Sequence, residues 1–352
     1  MKFRMSSLFV AGAFAVAGVM ATGAAKDAAA QMVSGPKVTW NVSIWGKKRA
    51  FSANIEALSA ILSEKTGGNL NLKLVYGAAL SPPKENIDGM KLGAFEAGPV
   101  CPAYTPGKLP ASMALNLPFL PIPDLAVQKS VHEEFFAHPA LVKEYENWGS
   151  LVAMITLIPR YEFMGVSKPP MTLEGWNGLR VRALGGVGEA MKRLGAVPTS
   201  MPAPELFQAL ERGLVDVGSF PFSYAFGAYR LHEVAKWYTT NAAISTTGCP
   251  FIAGISAWNA LPPQYQKLIE DSRDAALAQQ AEAYDAADRK YVPLFQKKGI
   301  TAITYSDAER DRLVAIGGKP IWDKWVKDAE ASGIPGQELL DLILTSAKKA
   351  SS

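Results

Sequence analysis

The 352-residue chain writes one of its own segments twice. ENIDGMKLGAFEAG, from Glu85, aligns without gaps on ELFQALERGLVDVG, from Glu205. Glu85 matches Glu205, Gly93 matches Gly213, Gly98 matches Gly218, acidic Glu96 matches Asp216, and upstream Pro82 matches Pro202. Each copy reads as a helix stopped by a glycine and followed by a short strand. A chain that carries the same helix-to-strand unit twice is expected to fold as two similar lobes facing each other. Its length fits two domains better than one.

The pattern around each copy is α/β. Val38–Trp45 and Leu70–Tyr76 read as strands, Ala50–Lys65 as a helix stopped by Gly67-Gly68, and Phe95–Val100 as a short strand. In the second copy Gly178–Ala183, Val197–Met201 and Leu214–Phe220 read as strands. Gly188–Leu194 reads as a helix, and Pro204 opens another that Gly213 closes. Alternating strands and helices predict open, mostly parallel sheets. The apolar run Leu151–Pro159 between the copies suits a buried strand crossing from lobe to lobe. From Gln264 to Lys298 few breakers occur apart from Pro293. That run predicts a helix about 50 Å long, tying both lobes and kinked at Pro293; a dimerising helix is the alternative.

Composition excludes several classes. Residues are 49% hydrophobic and 19% charged, as in a globular protein. The formal net charge of +4 includes Lys2, Arg4 and Lys26 against Asp27 in the first 30 residues, and no basic run with interleaved aromatics follows, so nucleic acid is not an expected partner. Lys2 and Arg4, an apolar Leu8–Met20 and Ala-x-Ala sites ending at Ala25 or Ala30 read as a cleavable secretory signal over residues 1–30. A periplasmic location follows. Cys101 and Cys249 each precede a proline; an oxidising compartment permits a disulfide between them, but spacing does not establish one.

Chemistry-bearing constellations are few. His132 and His138 are six apart, not the four that put two metal ligands on one helix face, so no metal site is expected. No nucleophile elbow and no Cys-x-x-Cys occurs, so neither an enzyme nor a cofactor is expected. Gly185, Gly186 and Gly188 lie between a strand and a helix, without the spacing of a nucleotide loop; the helix N-terminus there suits a carboxylate better. Arg180 and Arg182 share a strand face. A salt bridge at the strand end accounts for Arg180. Arg182, at the strand's C-terminal end, is placed to grip a carboxylate bidentately. Trp45, Tyr104, Phe220, Phe222 and Tyr224 follow or end strands, where open sheets put ligands.

Gly178–Pro221, with Lys65-Thr66-Gly67-Gly68, Gly89–Gly93, Leu117-Pro118-Phe119-Leu120, Trp258 and Leu261-Pro262, resembles the extracytoplasmic solute receptors of tripartite ATP-independent periplasmic (TRAP) transporters, dicarboxylate-receptor type. The resemblance spans nearly the whole mature chain. It implies a two-lobed periplasmic binding protein fold with hinge strands and a long helix spanning both lobes. One lobe would comprise residues 37–157 and 250–288, the other 158–249 and 289–349. It further implies capture of a small organic anion and its delivery to the membrane permease subunits. Arg182 takes the position of the family's carboxylate clamp and Arg160 that of its second arginine. The residues after Gly98 and Gly218 supply further contacts, so Ser219, Phe220, Phe222, Cys101, Tyr104, Trp45 and Thr247 join them as candidates. Many relatives carry Glu-Asn where this chain has Ser219-Phe220. That departure favours a carboxylate with an apolar or aromatic body over hydroxyl-rich sugar acids. A periplasmic sensor reporting to a signalling partner is the alternative function, and the chain is expected to act as a monomer or a helix-mediated dimer.

Overall fold

A computed structural model describes residues 32–352; the expected signal segment lies outside the described residues. Two sheets carry the architecture. The first contains β1 (Val38–Ser43), β2 (Leu70–Val75), β3 (Ala97–Pro99), β4 (Ser150–Met154) and β10 (Phe251–Gly254). Its order is β2-β1-β3-β10-β4. The second contains β5 (Tyr161–Gly165), β6 (Arg180–Arg182), β7 (Val197–Thr199), β8 (Val217–Pro221), β9 (Trp237–Thr239) and β11 (Thr301–Ile303). Its order, read from the other edge, is β7-β6-β8-β5-β9-β11.

The two orders are the same up to the added β11. In each sheet the strand that arrives from the other sheet, β10 or β5, is the antiparallel one. The remaining pairings are parallel. Helices cover the faces, as parallel strands require.

The repeated segment explains its own likeness. Gly93 and Gly213 have φ of +71° and +68°, the left-handed turn that ends a helix most cheaply at glycine. In both copies the next N–H reaches back five residues, Ala94 to Gly89 O and Leu214 to Ala209 O. The matched acids also do one job. Glu96 Oε2 accepts the Asn41 N–H of β1 at 2.6 Å, and Asp216 Oδ2 accepts the Arg180 N–H of β6 at 2.9 Å. Each pins the strand next to its own.

Residues 155–160 cross from β4 to β5, and residues 240–250 cross back. The crossings touch where Tyr161 N–H donates to Ser245 O and Ile244 N–H to Tyr161 O. Leu157 and Ile158 are buried and outside any strand, so side chains satisfy their backbone groups. Gln128 accepts from Ile158 N–H and donates to its carbonyl. Gln280 accepts the Leu157 N–H, and Tyr284 Oη donates to the Leu157 carbonyl.

Gln280 and Tyr284 belong to the long helix, which differs from expectation in where it breaks. It is two helices, Pro263–Asp271 and Arg273–Lys297, separated at Ser272, and it continues through Pro293. Ser272 Oγ donates back to Leu268 O at 2.6 Å, a competing bond that bends helices. Pro293 is exposed, so water can replace the hydrogen bond it removes. The Arg273–Lys297 helix packs on the Ala53–Lys65 helix of the first sheet and on the Tyr224–Ala228 helix of the second. It thus ties the two lobes within one chain. Among the described residues no helix is long and apolar enough to cross a membrane.

Candidate functional site

Arg182 is the residue from which the site is built. It ends β6, pairs in register with Gly218 of β8, and is 1% exposed. A guanidinium taken out of water needs partners. Its Nε and Nη2 donate to Met201 O at 3.0 and 2.9 Å, and Nη1 donates to Ser219 O at 2.8 Å. Both acceptors are uncharged carbonyl oxygens. Three of about five N–H donors are used, and no carboxylate answers the charge. The Phe220 ring lies 4.7 Å from Cζ.

Around Arg182 lies a small interlobe cavity. The first sheet contributes Trp45 after β1, with Arg49 and Phe51 beyond it, and Cys101 and Tyr104 after β3. The second contributes Tyr161 of β5, Phe220 and Pro221 of β8, and Tyr224 and Tyr229 in the segment that follows. Among the described residues no acidic side chain lines it. Its enclosed volume is about 30 Å³, room for a water or two. An organic molecule therefore enters with the lobes parted.

Two contacts close the cavity between lobes. Ala203 N–H donates to Tyr104 Oη at 3.1 Å, and the Arg49 guanidinium sits 5.4 Å from the Tyr229 ring. Burial pushes the Tyr229 phenol up to about 12, against the pull of Arg49 and Arg182. Burial also raises Tyr161 and Tyr224. These phenols stay protonated and remain donors.

The cysteines form a disulfide, a pairing the sequence left open. Cys101 follows β3 and Cys249 precedes β10, and β3 and β10 are antiparallel neighbours. Val100 N–H donates to Pro250 O at 3.0 Å, which sets the two side by side although 148 residues separate them. The bridge is part of the cavity wall.

Arg182, Phe220, Cys101, Tyr104, Trp45 and Tyr224 thus line one cavity. Ser219 reaches it through its carbonyl bond to Arg182, while its own Oγ is buried without a partner. Three candidates lie elsewhere. Arg160 is exposed and lines a different cleft with Phe119 and Arg310; its neighbour Tyr161, the first residue of β5, lines the cavity instead. Phe222 stacks on Tyr238, with ring centroids 5.8 Å apart. Thr247 is buried and donates to Asn116.

The glycine loop is likewise structural. The helix there begins at Gly185, and a Cβ on Gly186 would lie 2.6 Å from Asn116 O, so the chain itself covers the site expected for an anion. Arg180 makes the predicted salt bridge, with Asp216, at 2.6 Å.

Sequence reasoning missed Arg49, Tyr161 and Tyr229. Arg49 follows Trp45 by four residues, past the end of a strand already marked, but nothing in the sequence tells it from the lysines beside it. The tyrosines carry no local signal.

The comparisons agree with this architecture. The chain is similar to the monocarboxylate 2-oxoacid-binding periplasmic protein of Nostoc sp., 24% identical over 288 residues, 77% of this chain and 75% of that protein. It shares its fold with a TRAP solute binding protein from Rhodoferax ferrireducens in complex with copurified benzoate (TM-score 0.80, 20% identity, 89% of this chain and 98% of that one). A TRAP periplasmic solute binding protein from Desulfovibrio salexigens with bound orotic acid matches at TM-score 0.78 and 20% identity, over 89% of this chain and 99% of that one. Residues 42–328 match the bacterial extracellular solute-binding proteins of family 7. The chain belongs to that family.

Proposed function

We propose that this receptor captures a small organic acid between its lobes, with Arg182 as the carboxylate clamp, and delivers it to the permease subunits of a TRAP transporter. The observation that carries the reading is a buried guanidinium with spare donors and no carboxylate in its cavity. A buried cation without an anion is costly, and a ligand carboxylate supplies the missing partner. Trp45, Phe51 and Phe220 favour an apolar or aromatic body. Benzoate, the acid in the name of one structural relative, is of that kind.

The ligand touches both lobes only when they close, so binding shifts the population toward the closed form. That form docks on the permease. The lobe boundaries that go with this reading are 37–157 with 250–288, and 158–249 with 289–349. The C-terminal Gly336–Ala350 helix, which packs on the Leu125–Ala137 helix, reaches across that division. Binding and release without chemical change, in the periplasm, complete the role.

Calorimetric titration of Arg182→Ala with carboxylates that bind the parent protein tests the clamp. Affinity is expected to fall at least ~30-fold, the lower end of the roughly 2–5 kcal/mol lost when one member of a buried charge pair is truncated. Near-parental affinity would refute the assignment.

A further inference from the structure

The same cavity holds a second guanidinium that the carboxylate clamp does not use. Arg49 comes from the first lobe, Arg182 from the second. Arg49 Nη1 donates to Trp45 O at 2.7 Å and Lys47 O at 2.9 Å, which fixes the group between the Phe51 and Tyr229 rings, 4.8 and 5.4 Å away. Its Nε is buried and has no hydrogen-bond partner. The nearby carboxylate is already engaged: Glu56 accepts from Ser52 Oγ and Tyr76 Oη and pairs with Lys48 at 2.6 Å. Across the seam, the Tyr229 hydroxyl is also buried; the neighbouring Trp45 indole N–H can only donate to it, so the hydroxyl proton has no acceptor. The geometry is fixed by a tight fit, since a Cβ on Gly46 would lie 3.1 Å from Arg49 Nη1 and 3.2 Å from Tyr229 Oη.

We infer, on the reading that this cavity is the organic-acid site, that its ligand carries a second accepting oxygen group opposite its carboxylate, received by Arg49 and the Tyr229 hydroxyl. A simple monoacid answers Arg182 alone. It leaves the Arg49 Nε–H and the Tyr229 hydroxyl dry on closure, and a donor shut away from water without an acceptor costs binding. A ligand with an oxyanion or hydroxyl at its far end answers both lobes at once. It also neutralises or screens two cations that closure would otherwise bring together in a low-dielectric space. Arg49 is thus a specificity-determining residue: it selects among organic acids by their far end, while Arg182 recognises what they share.

The test is calorimetric titration of benzoate, 4-hydroxybenzoate and benzene-1,4-dicarboxylate, with hexanoate and hexanedioate beside them, against the parent protein, Arg49→Gln and Arg49→Lys. Thermal melts of each variant check that it folds. In the parent the two-ended ligand of at least one series is expected to bind 10-fold or more tightly than its one-ended counterpart. Arg49→Gln should bring the ratio of two-ended to one-ended affinity down to about 3-fold or less, whatever the loss common to both from a weaker Arg49–Tyr229 contact, because a buried neutral donor replaces a charge only in part. Arg49→Lys should restore part of it for the dicarboxylate. One-ended acids binding as tightly as two-ended ones, or Arg49→Gln weakening every ligand alike, would overturn the inference while leaving the receptor reading in place. Failure of every acid to bind the parent would instead overturn the receptor reading, and this inference with it.

Discussion

Arg182 stands where the duplicated lobe has Ser43. Val42 pairs with Ala97 and Val181 with Val217, so Ser43 beside Gly98 and Arg182 beside Gly218 are twin positions. Ser43 is a buried residue bonded to Asn86, so an arginine at this position in one lobe alone is an asymmetry between otherwise matching sheets, and it is the asymmetry on which the proposed clamp rests. A second buried group is uncompensated for another reason. His132 has no partner at either ring nitrogen, and burial holds its pKa down from 6.5 to about 3. The unfolded chain takes up a proton near 6.5 that the folded chain refuses. Stability from this residue is therefore complete above that value and is lost as the pH falls from there toward the folded-state pKa. The slope approaches about 1.4 kcal/mol per pH unit. His132→Phe, beside the Phe136 ring with which the imidazole packs edge-on, should remove this component. Urea unfolding of the two proteins at several values between pH about 7.5 and about 5 should show the parent losing more stability than the variant. Parallel losses would exclude the effect. Arg182 was legible from sequence because a strand end, a share of one face and a following glycine loop coincide there. Arg49 was not picked out because a cation in the polar run GKKR looks like solvated surface; only the fold shows one of the three turned inward.

The elements were legible wherever glycine or proline punctuates them. The paired stops at Gly93 and Gly213 and the crossing after β4 follow from the sequence. Strand ends shifted by a few residues, because pairing partners decide where a ladder stops. The break at Ser272 was missed because its cause is a side-chain hydroxyl competing for one carbonyl, which has no periodic signature. The repeat also makes a prediction with an internal control. Gly93 and Gly213 share a positive φ, and a Cβ added at either would have nothing within 4 Å. Alanine at either therefore meets backbone strain alone and should cost the same, about 1–2 kcal/mol. Gly98 and Gly218 should differ. A Cβ at Gly98 would sit 2.7 Å from the Ser43 carbonyl oxygen, whereas at Gly218 it would run into the end of the Leu206 side chain. Backbone in a paired strand cannot yield as a leucine methyl can, so Gly98→Ala should be the more destabilising. Denaturant midpoints of the four alanine variants decide it: a larger cost at Gly218 would mean that the helix packed there is more rigid than its twin.

At the scale of the whole molecule, one of the contacts between the lobes lies at the cavity itself and is open to test. The crossings at 155–160 and 240–250 and the Arg273–Lys297 helix hold the lobes together in any state, since Gln128, Gln280 and Tyr284 bind the backbone of the crossing itself. The Tyr104–Ala203 bond is different, because it joins a loop of each lobe directly across the cavity, and parting of the lobes is expected to break it. In an open form both groups find water. Tyr104→Phe therefore leaves the Ala203 N–H unpaired in the closed form alone, a penalty of roughly 1–3 kcal/mol for a buried donor. That penalty falls on the closing equilibrium and passes into ligand affinity through the competent fraction. The expected result is a ligand-free radius of gyration larger than the parent's by solution scattering. Ligand should restore compaction, and affinity should be lower by about 5-fold or more. A hydroxyl that merely touched the ligand would lower affinity and leave the ligand-free scattering unmoved. Because the enclosed space measures only about 30 Å³, the ligand-bound form should also be slightly wider than the structure described above. Scattering by the parent protein with and without ligand then separates three states: open, closed on a ligand, and closed on itself. If the parent scatters identically with and without a tightly bound acid, lobe motion is not how this receptor reports that it is loaded.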